Sequence, residues 1–574
     1  MAVYQIRVFA IFYYILGHCV FINNIEATHQ LYRNLQSVSS SSSSSNQPYR
    51  TAYHFQPPKN WINDPNGPMR YKGLYHLFYQ YNPKGSVWGN IVWAHSVSND
   101  LVNWTPLDLA IYPSQPSDIN GCWSGSATIL PNGKPAILYT GIDSNNQQVQ
   151  NLALPKNASD PFLSEWVKNP KNPLMAPTTA NKINSSLFRD PTTAWLGKDG
   201  YYRVLIGNQK ETTGRALLYR SKDFVNWVEA KHPLYSAKGT GMWECPDFFP
   251  VLSKSMSGID TSVNGPNVRH VLKVSLGSKL HDYYMIGSYD VKKDKFLPDT
   301  GLQSIESVSR YDYGKYYASK TFYDDAKKRR VLLGWVNESS SVADDIKKGW
   351  SGIHAIPRAI WLHKSGKQLV QWPVVEIERL RANPISWPIK VLKAGRHLQG
   401  TGVTAAQADV EVSFEAKEFE KAEVLENWMD PQVLCSKKGA SVKGGLGPFG
   451  LLAFASKDLK EYTAVFFRIF KHQHKPLVLF CSDQSRSSLN NINDLTTYGT
   501  FLDADPYQKN LSLRSLIDHS VVESFGEGKA VITSRVYRTL AINDEAHLYA
   551  FNYGAADVKI TRLNAWSMKK AQIN

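Results

Sequence analysis

At 574 residues the chain is too long for one ordinary domain and long enough for two large ones. Its hydrophobic share of 43% with 20% charged residues excludes a disordered chain, and 12% aromatic residues suit β structure and flat polar ligands. The net charge of +16 favours polyanions, but the basic residues form no stripe, zinc-finger spacing or RNA-binding motif, so nucleic acid is not indicated. Five cysteines without a CxxC pair give no zinc framework, and neither a metal nor an organic cofactor is expected.

The first segment reads as a leader. Arg7 precedes an apolar run over 8–22, broken by Gly17-His18, that turns polar before Ala27. The run is short for a membrane span and fits a signal peptide over 1–27, cleaved near Ala27. No later stretch is long and apolar enough to cross a bilayer, so no membrane partner is expected. Sequons at Asn103, Asn157, Asn184, Asn337 and Asn510 agree with secretion and glycosylation. Residues 39–45 are all serine and bury nothing, so 28–47 is expected to be a disordered linker.

From 48 to 385 short aromatic and β-branched runs alternate with Gly, Pro, Asn and Asp. Strands are predicted over 74–81, 91–97, 135–139, 201–206, 216–219, 270–274, 283–289 and 330–336. Ser98-Asn-Asp-Leu-Val-Asn-Trp104 recurs as Ser221-Lys-Asp-Phe-Val-Asn-Trp227. Asp64-Pro65 opens the segment leading to the first copy and Asp190-Pro191 that leading to the second. Repeated all-β units with equivalent acids predict propeller blades, the acids near a shared axis, with a sandwich as the alternative. The best helical stretch is 371–381, read as a connector. Over 386–574 regular alternation returns at 408–414, 451–455, 463–470, 477–481, 521–525, 530–536, 547–553 and 558–563, predicting a second all-β domain of sandwich type. Cys435 and Cys481 both fall there and would pair in an oxidising compartment, leaving Cys122 and Cys245 as buried thiols.

Three acids stand in aromatic surroundings beside proline. Asp64 lies in Trp61-Ile62-Asn63-Asp64-Pro65-Asn66-Gly67, where Pro-Asn-Gly predicts a turn that holds it. Asp190 lies in Phe188-Arg189-Asp190-Pro191 and Glu244 in Trp243-Glu244-Cys245-Pro246-Asp247. Glycosidic bonds are cut by paired carboxylates, one ionised and one protonated. Arg189 is expected to hold Asp190 ionised, and Trp243 and Cys245 to desolvate Glu244.

These three motifs, in this order, resemble the signatures of plant glycoside hydrolase family 32, in its cell-wall invertase and fructan exohydrolase group. The likeness runs from about residue 48 to the C-terminus. It implies a five-bladed β-propeller followed by a β-sandwich, and substrates with a terminal β-fructofuranosyl unit. By matching position, Asp64 resembles the nucleophile, Glu244 the acid/base and Asp190 the transition-state stabiliser. The outcome would be retention, with the two reacting carboxyls ~5–5.5 Å apart. Asn63, Gln80, Trp88, Trp123, Ser124 and Arg189 match fructose-contacting positions. Pro246 resembles the cell-wall type, where the vacuolar type carries Val, and the basic charge fits adherence to acidic wall polysaccharide.

One departure bears on substrate. In Ser275-Leu-Gly-Ser-Lys-Leu-His-Asp-Tyr-Tyr284, Gly277 and Leu280 stand where wall invertases carry an Asp and a basic residue that serve the glucose half of sucrose. Sucrose hydrolysis is the first expectation. Release of terminal fructose from fructans is the second, and a catalytically weak secreted sugar-binding protein is the reading from another class.

Overall fold

The computed structural model describes residues 47–300, 308–473, 475–542 and 545–573. The expected signal peptide and all but the last residue of the expected linker lie outside the described residues.

Five sheets follow one another as blades, antiparallel except where Trp350–Ser351 runs parallel to the start of the first blade. The first holds Asn60–Tyr71, Leu74–Asn82, Val92–Ser98 and Thr105–Ile111 in that order. The second holds Gly121–Ile129, Pro135–Ile142, Gln148–Pro155 and Trp166–Lys168. The third is built on Trp195–Leu196, Tyr202–Lys210, Thr213–Ser221 and Trp227–Glu229, with Phe188–Arg189 pairing beside Trp195–Leu196. The fourth holds Trp243–Leu252, Val268–Leu276, His281–Asp290 and Lys295–Pro298; the fifth holds Tyr316–Asp324, Arg329–Val336, Arg358–Leu362 and Leu369–Pro373. This is a five-bladed β-propeller.

The repeated heptapeptide is the turn between the third and fourth strands of blades one and three. Asp100 Oδ1 accepts the N–H groups of Val102 and Asn103 at 3.0 and 2.8 Å, and Asp223 Oδ1 those of Val225 and Asn226 at 2.9 and 2.7 Å. Leu101 and Phe224 each take φ 65°. The short acid lets the chain turn by capping its own backbone donors.

The first strands of the blades are less regular. Pairing slips between Ile62 and Pro65, between Cys122 and Gly125, between Glu244 and Asp247, and between Tyr317 and Lys320. In blade three the break follows Arg189, where Asp190 takes φ 68°. Bulges re-aim side chains and end regular alternation. Pro-Asn-Gly after Asp64 is therefore no turn: Asn60–Tyr71 runs on as one bulged strand, and the reversal comes at Lys72-Gly73.

The connector is also shorter than expected. Residues up to Pro373 complete blade five, and only Val375–Leu380 is helical, as a 3-10 helix. Val374, Ile377 and Leu380 are buried at a spacing of three, which suits 3-10 rather than α geometry. Arg381–Ser386 pairs with Val558–Met568 and so belongs to the following sandwich sheet, a few residues ahead of the expected change at 385.

The sandwich has two sheets. One centres on Gln407–Ala416 between Val558–Met568 and Leu511–Asp518, the other on Leu446–Ala455 and Thr463–His472. Their inner faces bury Val410, Val412, Phe414, Phe449, Val465, Phe467, Phe480 and Leu513 in one core. Cys435 and Cys481 form a disulfide with Cα atoms 5.7 Å apart, and Cys122 and Cys245 are buried free thiols.

Buried charges tie the propeller to the sandwich. His54 lies 2.9 Å from both Asp518 and Glu523, with no exposure on any of the three. Arg358 joins Glu523 (2.6 Å) to Asp312 (2.9 Å). Removing one partner of such a set leaves an uncompensated charge, which costs about 3–5 kcal/mol.

Candidate active site

The breaks in the five first strands carry the functional side chains. Asp64 lies in the first. Its Oδ2 accepts from Ser124 Oγ at 2.5 Å and from the Cys245 thiol at 3.3 Å, and its Oδ1 accepts from Asn63 Nδ2 at 3.0 Å. Asn63 Nδ2 also donates to Gln80 Oε1 at 2.8 Å, and Gln80 Nε2 donates to Ser124 Oγ at 2.5 Å, closing a ring of polar groups around the carboxylate. Trp61 Nε1 fixes the Asn63 amide from outside at 2.8 Å, and His354 Nε2 lies 2.7 Å from the Asn63 carbonyl.

Asp190 sits on the strained residue of blade three. Its N–H donates to Thr140 Oγ1 at 2.8 Å, and its Oδ2 accepts the Cys245 N–H at the same distance. Cys245 therefore touches two acids: its thiol lies 3.3 Å from Asp64 Oδ2 and 3.6 Å from Asp190 Oδ2, and its N–H donates to Asp190. Its own φ of 42° comes from the bulge after Glu244.

Glu244 is held differently. Arg189 Nη2 donates to its Oε1 at 2.6 Å and the Tyr317 hydroxyl to its Oε2. The expected division of roles among neighbours holds only in part: the Arg189 charge still favours ionised Asp190, but its hydrogen bond goes to Glu244. Arg189 lies 3.9 Å from Asp190 and closer to Glu244. Trp243 turns to the opposite face of its strand and stacks on Tyr235 in the core, so it does not wall off Glu244.

Withdrawal from water pushes the Asp64 carboxyl up to about 6, with the Asp190 charge adding to the rise against the hydrogen bonds of Ser124, Cys245 and Asn63. Burial also raises Asp190, opposed by Arg189, Lys320 and the Cys245 N–H. Burial and then the charges of Asp190 and Asp64 raise the Cys245 thiol well above its ordinary value, so it stays a neutral donor.

Indoles shape the rim. Trp88 is 53% exposed and meets Trp123, the residue before Ser124, edge to face at 5.6 Å. Trp61 and Trp335 pack 5.6 Å apart and, with Tyr317, Ala318 and Cys245, form a small cluster under the site. All nine sequence-derived residues thus fall in or beside one cluster. Tyr317, Thr140 and Lys320 were missed: none stands in a motif, and only strand register brings them in.

Carboxylates with unlike partners, set among amides, hydroxyls and indoles, are what cleavage of a glycosidic bond asks of a protein. At the axis of a propeller backed by a sandwich, they define a glycoside hydrolase. Residues 54–373 match the model of the glycosyl hydrolases family 32 N-terminal domain, and residues 376–567 that of the family 32 C-terminal domain. The chain is 71% identical over 545 residues to a β-fructofuranosidase, cell wall isozyme, of Pisum sativum, covering 94% of this chain and 98% of that one. It is 60% identical over 532 residues to a fructan 6-exohydrolase of Beta vulgaris, covering 92% and 88%. The crystal structure of fructan 1-exohydrolase IIa from Cichorium intybus in complex with 1-kestose superposes with a TM-score of 0.90 at 55% identity, over 92% of this chain and 99% of that one. The chain belongs to glycoside hydrolase family 32, and it is a hydrolase of β-fructofuranosidase type.

Proposed function

We propose that the chain is a secreted, retaining β-fructofuranosidase that splits sucrose into glucose and fructose at the plant cell wall. Asp64 attacks the anomeric carbon of the terminal fructose. As that bond forms, the glycosidic C–O bond breaks and its electron pair stays on the leaving oxygen, which takes the Glu244 proton. Water then attacks the fructosyl ester, Glu244 takes its proton, and the Asp64 carboxylate is released. Asp190 faces the positive charge that develops on the ring. Burial and then the Asp190 charge raise the Asp64 carboxyl, so a cationic ring between the two acids relieves the repulsion at the transition state. Asn63, Gln80, Ser124 and Arg189 hold fructose hydroxyls, and Trp88 and Trp123 supply apolar walls.

The observation that carries this reading is Cys245, which holds Asp64 at 3.3 Å and Asp190 at 2.8 Å and is covalently next to Glu244. Signal peptide 1–27, glycosylation and adherence of a +16 chain to acidic wall polysaccharide complete the proposal. Asn157, Asn184 and Asn510 are exposed, as attachment requires, whereas half-buried Asn103 is engaged by Asp100 and by the Gln572 N–H at 2.9 Å.

A second reading, release of terminal fructose from fructans, is favoured by Gly277. A Cβ there would lie 3.1 Å from both Glu244 carboxylate oxygens, so this position borders the leaving-group side and offers it no carboxylate. Each lost hydrogen bond to glucose costs roughly 0.5–1.5 kcal/mol, while the fructose chemistry is untouched. Sucrose, inulin and levan offered separately, with fructose and glucose measured, decide between the readings. Faster sucrose turnover supports the first, faster fructan turnover the second, and no turnover of any of the three overturns both.

A further inference from the structure

Behind Glu244 lies a charge pair that touches no substrate position. Lys273 and Asp282 are both fully buried, 3.3 Å apart, on neighbouring strands of blade four. A buried pair costs desolvation and is often replaceable by apolar side chains, so its partners show what it does. Lys273 Nζ donates to the Cys245 carbonyl at 3.1 Å, the Ser319 carbonyl at 2.7 Å and Ser275 Oγ at 2.8 Å. Asp282 accepts the N–H of Ala318 at 3.2 Å, that of Ser319 at 2.8 Å and the Ser275 hydroxyl at 2.5 Å.

Two of those contacts fall on strained backbone. Cys245 takes φ 42° and Ala318 φ 53°, a region that non-glycine residues adopt only when their surroundings impose it. Both sit in bulges, one directly after Glu244 and the other directly after Tyr317, whose hydroxyl donates to Glu244. A single ion pair therefore grips the backbone on both sides of one hydrogen bond, from blade four and blade five together.

We propose that the Lys273–Asp282 pair is a positioning device for Glu244: it holds the two bulges in their left-handed turns, and so sets Glu244 and Tyr317 at the distance proton transfer to the leaving group needs. Neither residue reacts. The inference rests on Glu244 being the acid/base, as proposed above.

The test separates the two. In Asp282→Asn, kcat for sucrose, or for inulin if that is the substrate turned over, is expected to fall at least tenfold with KM within threefold. Activity on nitrophenyl β-fructofuranoside, whose leaving group departs without a proton, is restored by azide, which replaces base-assisted water and gives fructosyl azide. Ala318→Gly, added to that variant, recovers part of the lost kcat, because glycine takes positive φ unaided. Glu244→Gln is the control: if azide does not restore it on the same substrate, the acid/base reading fails. If azide restores Glu244→Gln but not folded Asp282→Asn, the positioning inference fails alone. Ser275→Ala, which loosens the pair without removing either charge, is expected to show the same pattern at about threefold loss. Unfolding of both the Asp282 and the Ser275 variants would overturn positioning in favour of a purely structural pair.

Discussion

The thiol of Cys245 donates to Oδ2 of Asp64 across 3.3 Å, joining residues 181 positions apart in the chain. The contact is one of three that hold the Asp64 carboxyl below where burial and Asp190 would leave it. Cys245→Ala removes a hydrogen bond worth roughly 0.5–1.5 kcal/mol, equivalent to roughly 0.4–1 pH unit. The acid limb of kcat/KM is expected to move to higher pH by the lower part of that range, because Asp64 keeps a solvent-exposed edge. Cys245→Ser keeps a donor and should move it less. Coincident limbs in the wild type and the alanine variant would show that the thiol does not reach the titration of Asp64.

Glu244→Gln keeps the shape of the side chain and removes its proton. With Glu244 as acid/base, kcat is expected to drop roughly 10²–10⁴-fold, with a near-native circular dichroism spectrum. A loss under tenfold would move the acid/base role to another group.

Gly277→Asp with Leu280→Lys tests the leaving-group side. Gly277 lies outside the left-handed region, so Asp adds no backbone strain of that kind, and its Cβ would come 3.1 Å from the Glu244 carboxyl, which must give by a few tenths of an ångström against its bonds to Arg189 and Tyr317. The double variant is expected to raise the ratio of sucrose to inulin kcat/KM about threefold to tenfold, as one or two hydrogen bonds would. An unchanged ratio would refute the account of this loop.

The joint between propeller and sandwich has its own pH dependence. Burial opposes the charge on His54, but Asp518 and Glu523 outweigh it and raise its pKa above 6.5. The contribution of His54 is therefore full below the unfolded value of 6.5 and lost as pH rises through the raised folded value. Asp518 and Glu523 are held low, and their share is lost only as pH falls below the usual carboxylate range. His54→Gln is expected to lower stability by about 3–5 kcal/mol at pH 5.5 and by less at pH 8.5. Thermal melts at the two values read this directly, and an equal or larger effect at pH 8.5 would contradict it.

Which parts of the chain were readable follows a physical pattern. The middle strands of the blades, such as Leu74–Asn82 and Arg329–Val336, keep an unbroken β-branched and aromatic run and were legible, whereas the short fourth strands were not. The first strands were not, because each is broken by Pro, Gly or a strained residue where it meets the site. Asn60–Tyr71 reads as a turn for that reason. Asp64, Asp190 and Glu244 were found through motifs that those same breaks create. Tyr317, Lys273 and Asp282 carry no local mark, since their meaning comes from register between blades four and five. Arg189 shows the limit of neighbour arguments: it is next to Asp190 in sequence, yet it pairs with Glu244 across two blades.

The central claim is that Asp64 and Glu244 act on one fructose by double displacement. Methanolysis tests it most directly: substrate is turned over in dilute methanol and the methyl fructofuranoside first formed is assigned by NMR. The account predicts methyl β-D-fructofuranoside, with retention at the anomeric carbon. Methyl α-D-fructofuranoside as the initial product would mean a single displacement and would contradict it.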